Sequence, residues 1–183
     1  MTNKGMGKDR LQAGVVIRKA KESDMPAIIG NWISLMAQNY KFNPEANKHR
    51  REYVQVYERF LLKQIRGRIS TVLVAEAASA AEGNPQEKAM GDGEIIGHIM
   101  LEIKKIPPVY EIEREGYVDE LFVKEGFRGK KIGTMLLKEG ESWARKKGMR
   151  QFGLMANVKN TRARQVYLKF GLADLTTKMI KLL

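Results

Sequence analysis

Cysteine is absent from this chain of 183 residues, and histidine occurs twice. The lack of cysteine excludes disulfides, thiolate zinc sites and cysteine nucleophiles. His49 and His98 lie far apart in the sequence and do not have the i, i+4 spacing of a helical zinc site. We therefore expect both histidines at surface or satisfied core positions, and we expect no metal.

Long apolar runs are also missing. No segment approaches the roughly 18 consecutive apolar residues of a membrane-spanning helix, and the basic N-terminus lacks the apolar stretch and cleavage site of a secretion signal. The sequence therefore predicts a cytoplasmic protein without a membrane partner. A length of 183 residues with 43% hydrophobic residues predicts one folded domain.

Negative charge is under-represented, because 33 Lys and Arg stand against 21 Asp and Glu, for a formal charge of +12. Such a charge attracts nucleic acid, acidic proteins or phosphorylated cofactors, although a solvated basic surface would also explain it. The basic residues are spread along the chain and form no known nucleic-acid motif. Nucleic acid is therefore not the expected partner, and a non-catalytic nucleic-acid-binding module is kept as an alternative function.

The pattern of apolar residues predicts alternating strands and helices. Residues 1–14 form a flexible basic arm in this interpretation, residues 15–183 form the folded domain, and residues 77–93 form a mobile hairpin loop of unassigned role. Strands are predicted at 15–20, 70–76, 94–103, 116–123, 150–156 and 176–183. The order βααβββαβαβ is typical of an α/β or α+β domain with one sheet and helices on its faces.

The stretch "FVKEGFRGKKIGTMLL" (122–137) passes from a strand end through a glycine-containing, basic turn into an amphipathic helix. Unpaired N–H groups and the positive end of the helix dipole make such a helix start suitable for phosphate. The Walker nucleotide-binding pattern fails, because Lys131 stands five residues after Gly126 where a glycine is required. The dinucleotide pattern after Gly91 and Gly93 fails as well, because Ile96 occupies the position of its third glycine.

Arg128, Lys131 and Gly133 have the spacing of a different signature. The turn resembles the Q/R-x-x-G-x-G/A motif of the GCN5-related N-acetyltransferases, the GNAT family, with Lys131 in place of the first glycine. A lysine can adopt the required backbone if its φ stays negative, and its charge suits a pyrophosphate.

A second motif strengthens the resemblance. The segment "NTRARQVYLKFGL" (160–172) is similar to the family pattern N-x-x-A-x-x-x-Y-x-x-x-G-F, in which Asn160, Ala163, Tyr167 and Gly171 match and Leu172 replaces phenylalanine. The opening strand and helix are also similar to those of the family, so the resemblance extends over most of residues 15–183.

The resemblance implies the GNAT fold, a mixed and mostly antiparallel sheet with helices on both faces. It also implies acetyl-coenzyme A as co-substrate, with its pyrophosphate in the turn and its pantetheine paired along the preceding strand. The cofactor-binding residues implied in this way are Leu121, Phe122, Val123, Arg128, Gly129, Lys130, Lys131, Ile132, Gly133, Thr134 and Asn160.

Acetyl transfer to an amine needs a base for the amine and an acid for the departing thiolate. Asp119 and Glu120 are the candidate bases, with Asp119 slightly favoured because the strand resembles that of polyamine acetyltransferases. Strand alternation predicts opposite faces for the two carboxylates. In the family, a tyrosine at the position of Tyr167 protonates the thiolate, although packing alone would also explain a tyrosine on this helix.

The acceptor is less defined by the sequence. We expect a primary amine, with a small cationic amine such as a polyamine slightly favoured over a protein amino group. Glu111, Glu113 and Glu115 could attract such a cation, or form a solvated charged loop. A coenzyme A sensor without turnover is a further alternative. Homodimers are frequent in the family, but the sequence reveals no interface.

Overall fold

A five-stranded sheet forms the centre of the molecule in a computed structural model that describes residues 14–77 and 93–181. The strands are β1 (Val15–Lys19), β2 (Ser70–Ala77), β3 (Ile95–Lys105), β4 (Arg114–Val123) and β5 (Phe152–Leu154). The first four strands pair antiparallel in chain order, and β5 pairs parallel with β4. Apart from residues 14, 77 and 93, the predicted arm and hairpin loop lie outside the described residues.

In residues 14–77 and 93–181, four α-helices cover the sheet. They are α1 (Met25–Phe42), α2 (Tyr53–Arg66), α3 (Ile132–Lys146) and α4 (Thr161–Phe170). The predicted fold class, a mixed and mostly antiparallel sheet with helices on both faces, is confirmed. No helix in the described parts of the chain has the length and apolar character needed to cross a membrane. The cytoplasmic location stays a prediction.

Two hydrophobic cores lie on opposite sides of the sheet because side chains alternate along each strand. On one side, Ile99 and Leu101 of β3 pack with Leu136 of α3. On the other side, Met100 packs with Ile28 of α1 and with residues of α2. These sides are called the α3 face and the α1–α2 face below.

Glycine lets α3 lie close to the sheet. A Cβ atom added at Gly140 would lie 3.1 Å from a methyl carbon of Leu101 and 3.2 Å from one of Ile99. Real Cβ contacts are rarely this short, so a larger residue at Gly140 would require the side chains of Leu101 and Ile99 to shift by a few tenths of an ångström. The position of α3 matters because its first turn forms part of the site described below.

An ion-pair network joins β1 to the start of α1. The guanidinium group of Arg18 donates hydrogen bonds of 2.7 and 3.0 Å to Asp24 and also bonds to Glu76 of β2. Asp24 stands at the N-cap position of α1, and its carboxylate accepts a 2.7 Å hydrogen bond from the Lys21 N–H. The side chain therefore fixes the turn before the helix, and no cap hydrogen bond to α1 forms.

The predicted final strand, 176–183, is wrong over its described part, 176–181, which has no regular structure. Leu175 is 85% exposed and Met179 is 90% exposed. An apolar segment forms a stable strand only beside a partner, and no neighbouring strand covers this one in the described residues. The strand predicted at 150–156 is present but shorter, as β5.

Candidate active site

The pairing of β3 with β4 shifts in the middle of the sheet. Met100 pairs with Glu120, but the next residue, Leu101, pairs with Val118. Asp119 is thus an extra residue, and it forms a β-bulge in β4. A bulge interrupts the alternation of side chains, which changes where the two candidate bases point.

Both carboxylates lie on the α1–α2 face. Glu120 reaches Tyr57 of α2, and Asp119 reaches Lys104, which lies on the same side of β3 as Met100. The prediction that strand alternation separates Asp119 from Glu120 is therefore wrong, and the bulge is the physical reason. The arrangement brings two negative charges to one side of the sheet.

Glu120 is held by an aromatic residue and a histidine. The Tyr57 hydroxyl donates a 2.6 Å hydrogen bond to Glu120 Oε2, and His98 Nε2 lies 3.4 Å from the same oxygen. The Tyr57 ring stacks on Trp32 at 3.8 Å. Burial, together with the negative charge of Glu120, raises the pKa of Tyr57, so its hydroxyl stays protonated and remains a donor.

The sequence missed Tyr57 and His98 as site residues. Tyr57 lies on an apolar stripe of α2 and is buried in the core, so its local pattern does not indicate a polar role. His98 is completely buried, and its Nδ1 atom has no partner among the described residues. A histidine inside an otherwise apolar strand was the available signal. His49, by contrast, is exposed and stacks on Tyr53 at 4.9 Å.

Only one of the two carboxylate oxygens of Asp119 has a hydrogen-bond partner among the described residues. Its Oδ1 atom accepts a 2.8 Å hydrogen bond from Lys104 Nζ, whereas its Oδ2 atom is buried without a partner in the described structure. Burial raises the pKa of Asp119 above its usual value, although the hydrogen bond from Lys104 acts in the opposite direction. A carboxylate with a raised pKa is a better proton acceptor than an ordinary one.

A gap opens between β4 and β5 directly beyond these residues. The parallel pairing runs from Gly116 and Phe152 to Val118 and Leu154 and then stops. The remainder of β4, Asp119 to Val123, has no strand on that edge among the described residues. The predicted pantetheine-binding residues 121–123 therefore lie along an open strand edge, which can hydrogen-bond an extended ligand.

The turn after β4 has an unusual backbone. Gly129 has φ +86°, and Lys131 has φ +62° with ψ +7°, directly before α3 begins at Ile132. The condition under which a lysine fits this turn without strain, a negative φ, is therefore not met. The turn requires a left-handed residue at this position, where the family motif has glycine, and Lys131 is the only non-glycine residue of positive φ in the described chain.

The predicted phosphate-binding residues surround the start of α3. The side chain of Ile132 is buried in the core, so only its backbone faces the turn. Arg128 Nε donates a 2.9 Å hydrogen bond to the Val123 carbonyl oxygen and thereby ties the turn to the end of β4. Lys130 Nζ lies 5.1 Å from the centre of the Phe127 ring. Gly133 and Thr134 occupy the first turn of α3, where N–H groups have no acceptor within the helix.

A cleft of about 480 Å³ lies between α1 and this turn. We call it the α1 cleft. Asn31 is 3% exposed, and its side-chain nitrogen has no partner among the described residues. The lining residues are Ala27, Gly30, Asn31, Ser34, Gln38, Phe122, Lys124, Glu125 and Arg128. The cleft thus adjoins predicted cofactor positions at Phe122 and Arg128.

The residues of the second motif lie at α4. Asn160 Oδ1 accepts a 3.2 Å hydrogen bond from the Ala163 N–H and caps the helix. Tyr167 packs against the core of the α3 face, as do Leu121 and Val123. Burial raises the pKa of Tyr167, so the phenol is protonated at neutral pH and able to donate a proton. Tyr167 therefore lies on the same face of the sheet as the Leu121 and Val123 side chains, which belong to the open edge of β4.

The acidic loop residues do not converge on the bulge. Glu111 and Glu113 are exposed, and Glu115 accepts a 3.0 Å hydrogen bond from Gln151 near the start of β5. The described residues contain no cluster of His, Asp and Glu that could hold a metal ion.

One family model matches the part of the chain that contains both motifs. The sequence model described as "Acetyltransferase (GNAT) family" matches residues 57–172. The aminoalkylphosphonate N-acetyltransferase of Salmonella typhimurium is 34% identical over 83 residues, which is 45% of this chain. The chain matches 53%, about half, of the length of that relative.

Solved structures share the fold at low sequence identity. A mutant of the BH1408 protein from Bacillus halodurans has a TM-score of 0.72 and 18% identity, covering 92% of this chain and 99% of that one. A predicted acetyltransferase from Clostridium acetobutylicum, solved with acetyl-coenzyme A, has a TM-score of 0.64 and 20% identity, covering 92% and 95%. At such identities the likeness shows the fold alone.

Proposed function

The chain belongs to the GNAT family of acetyltransferases, as its motifs predicted, and we propose that it transfers an acetyl group from acetyl-coenzyme A to a primary amine. One observation carries this proposal. The left-handed turn that opens α3 follows directly on the open edge of β4. The two features offer a single ligand both phosphate-binding N–H groups and the backbone of an unpaired strand.

In the proposal, acetyl-coenzyme A binds across both features. Backbone N–H groups from residues 129–134 receive the pyrophosphate, supported by the positive end of the α3 dipole. Leu121, Phe122 and Val123 pair with the pantetheine in the gap between β4 and β5. An N–H group at Leu121 or Phe122 stabilises the oxyanion that forms when the amine attacks. The Clostridium neighbour, solved with acetyl-coenzyme A, supports this choice of ligand.

The base in this proposal is Asp119. An alkyl amine has a pKa of about 10.4 and must lose a proton before it attacks. Asp119 follows directly on the last β4 residue that pairs with β5, and its raised pKa and unpartnered oxygen suit proton uptake. Glu120 is assigned a positioning role, because its carboxylate is already engaged by Tyr57.

Tyr167 serves as the acid. As the C–S bond of the thioester breaks, the phenol donates its proton to the departing thiolate, whose own pKa is about 8.5. Support comes from the matched motif and from the position of Tyr167 on the face where Leu121 and Val123 pack. Asn160 is assigned to the cap of α4 and, through it, to the placement of Tyr167.

A small cationic amine is the proposed acceptor. The α1–α2 face carries the carboxylates of Asp119, Glu120 and Glu102 near the bulge, a charge distribution that attracts an ammonium group. The Salmonella relative is named for acetylation of an aminoalkylphosphonate. Substrates of this type therefore belong in the test panel beside polyamines and peptides.

The test begins with calorimetric titration of acetyl-coenzyme A, with desulfo-coenzyme A and ADP as controls, followed by thiol release across the amine panel. Micromolar binding with turnover of a small amine supports the proposal. Binding without turnover of any amine favours the coenzyme A sensor. Absence of binding, together with salt-sensitive binding to arbitrary DNA, favours the nucleic-acid module. Homodimer formation stays a prediction, which light scattering can test.

A further inference from the structure

Lys104 lies with its ammonium group among three partners on the α1–α2 face. Nζ is 2.8 Å from Asp119 Oδ1, 3.1 Å from Glu102 Oε1 and 3.4 Å from the centre of the Tyr117 ring. These contacts combine two charge-assisted hydrogen bonds with a cation–π interaction. The Lys104 side chain is still 36% exposed, so the group is held in position without being sealed from a ligand.

The ammonium group of Lys104 also lies where the gap between β4 and β5 begins. Asp119 forms the bulge immediately after Val118, the last β4 residue paired with β5. The gap between the strands opens at that point. A thioester whose pantetheine pairs with residues 121–123 would point towards the bulge, where the carboxylate bonded to Lys104 lies. Lys104 is thus an amine of the protein itself at the place where an acceptor amine would bind.

The neighbouring lysine provides a natural contrast. Lys105 follows Lys104 on the same strand, so its side chain projects from the opposite side of the sheet. It is exposed and forms no ion pair with another described residue. The two lysines therefore share sequence context and differ in their position relative to Asp119.

We propose that Lys104 is a self-acetylation site, modified by the active site of its own chain. This inference rests on the proposed function, because it requires acetyl-coenzyme A in the gap between β4 and β5. It concerns a residue of the protein as acceptor and does not depend on the identity of the small amine.

The reaction uses only groups already assigned. Asp119 takes a proton from the Lys104 ammonium group, and the neutral Nζ attacks the thioester carbonyl carbon. An N–C bond forms and the C–S bond breaks. The coenzyme A thiolate leaves with a proton from Tyr167, and the second proton lost by nitrogen passes to solvent. The products are Nε-acetyl-lysine and free coenzyme A, and no oxidant or reductant is needed.

The reaction is expected to be slow. Burial alone would lower the pKa of Lys104, but its hydrogen bonds to Asp119 and Glu102 outweigh burial and raise the pKa. The reactive neutral amine is therefore a minor species. Self-acetylation should be a single slow event per molecule, in contrast to repeated turnover of a free amine.

Modification would change the acceptor site. An acetylated Lys104 carries no charge, so Asp119 and Glu102 lose their cationic partner. The face around the bulge becomes more negative and should bind a cationic amine more tightly. Self-acetylation would then act as a one-time activation, visible as a lag when fresh protein meets acetyl-coenzyme A and a cationic amine.

The experiment incubates the full chain with acetyl-coenzyme A in the absence of added amine. Intact mass and peptide mass spectrometry follow acetyl incorporation at each lysine, with unfolded protein as the control for chemical acetylation. We expect Lys104 to react at least tenfold faster than Lys105, at a rate independent of protein concentration. Lys104→Arg should abolish this preferential labelling, and Lys105→Arg should leave the labelling of Lys104 unchanged.

Two further results would overturn the inference. One is equal labelling of Lys104 and Lys105, and the other is a rate for Lys104 that is the same in folded and unfolded protein. Calorimetric binding of acetyl-coenzyme A and thiol release with free amines are measured on the same sample. If these succeed while Lys104 stays unmodified, only the self-acetylation fails. If acetyl-coenzyme A does not bind, the proposed function fails with it.

Discussion

The hydroxyl of Tyr57 donates a 2.6 Å hydrogen bond to Oε2 of Glu120 and so joins helix α2 to the bulged strand β4. The same ring stacks on Trp32 of α1 at an interplanar angle of 5°. One side chain therefore links both helices of the α1–α2 face to the residue beside the proposed base. The geometry of the bulge depends on helices that are distant in sequence.

Tyr57→Phe should show how much the hydrogen bond to Glu120 contributes to stability and to activity. Phenylalanine keeps the stacking on Trp32 but removes the hydroxyl that donates the 2.6 Å hydrogen bond to Glu120. We expect the free energy of unfolding to fall by about 2 kcal/mol and kcat to fall as the bulge loosens. Tyr53→Phe is the matched control, because Tyr53 lies one turn earlier and also contacts Trp32. Equal effects of the two substitutions in denaturant unfolding would contradict the assignment.

Lys131→Gly should stabilise the protein. Lys131 has φ +62°, which glycine adopts without steric cost, and the gain should be about 1 kcal/mol in the free energy of unfolding. The variant also loses a positive charge at the phosphate turn, so acetyl-coenzyme A should bind several-fold more weakly. Lys131→Ala separates the effects, because it removes the charge and keeps the strain. A fall in melting temperature for Lys131→Gly would show that the lysine side chain stabilises the turn.

Asp119→Asn and Glu120→Gln should differ in kinetics. Asparagine cannot accept the proton, so kcat/KM for an alkyl amine should fall by about 100-fold. The Glu120→Gln variant should retain more activity, because Glu120 acts through position. In the parent protein, activity should rise with pH through the raised pKa of Asp119, as its carboxylate becomes ionised. Retention of that rise in Asp119→Asn would assign the base elsewhere.

The sequence was sufficient for the fold class and the family because these depend mainly on local patterns. The alternation of strands and helices along the chain and the spacing of Arg128, Gly133, Asn160 and Tyr167 are all readable within short segments. Strand alternation could not place Asp119 and Glu120, because a bulge depends on the pairing register with β3.

The contacts between distant segments could not be predicted from the sequence either. Tyr57 and Glu120 are 63 residues apart, and Lys104 and Asp119 are 15 apart. Each residue has an ordinary local interpretation, as core tyrosine or exposed strand lysine. At 176–181 the local pattern was misleading, because it predicted a strand and the described chain provides no neighbouring strand for this segment.

Asp24→Asn should destabilise the protein in a pH-dependent way. The Arg18 hydrogen bonds hold the pKa of Asp24 below its usual value of 3.8, although burial opposes them. A depressed carboxyl pKa contributes stability above the unfolded pKa and loses it as pH falls through the folded pKa. We expect a loss of about 2 kcal/mol at pH 7 that shrinks at acidic pH.

The control for Asp24 is Glu45→Gln, which removes an exposed ion pair with Lys48. Exposed pairs of this kind contribute little, so its melting temperature should match that of the parent at each pH. A difference between Asp24→Asn and the parent that stays constant from neutral to acidic pH would contradict the ionic origin of the effect.

Tyr167→Phe should remove the acid while preserving the packing of α4. Burial keeps the phenol protonated at neutral pH, and the ring packs against the core of the α3 face. Phenylalanine retains the ring, so we expect unchanged thermal stability and unchanged affinity for acetyl-coenzyme A. The loss should appear in kcat, by about 100-fold, because only the departing thiolate needs the proton.

Two comparisons make the Tyr167 result specific. Tyr110→Phe alters a tyrosine that is 61% exposed and should leave kcat unchanged. An acyl donor with a more acidic thiol needs less help in leaving, so Tyr167→Phe should impair it less than acetyl-coenzyme A. A uniform loss for both donors would indicate that Tyr167 positions the cofactor and does not protonate the thiolate. In that case the acid must be sought among the other groups near the open edge of β4.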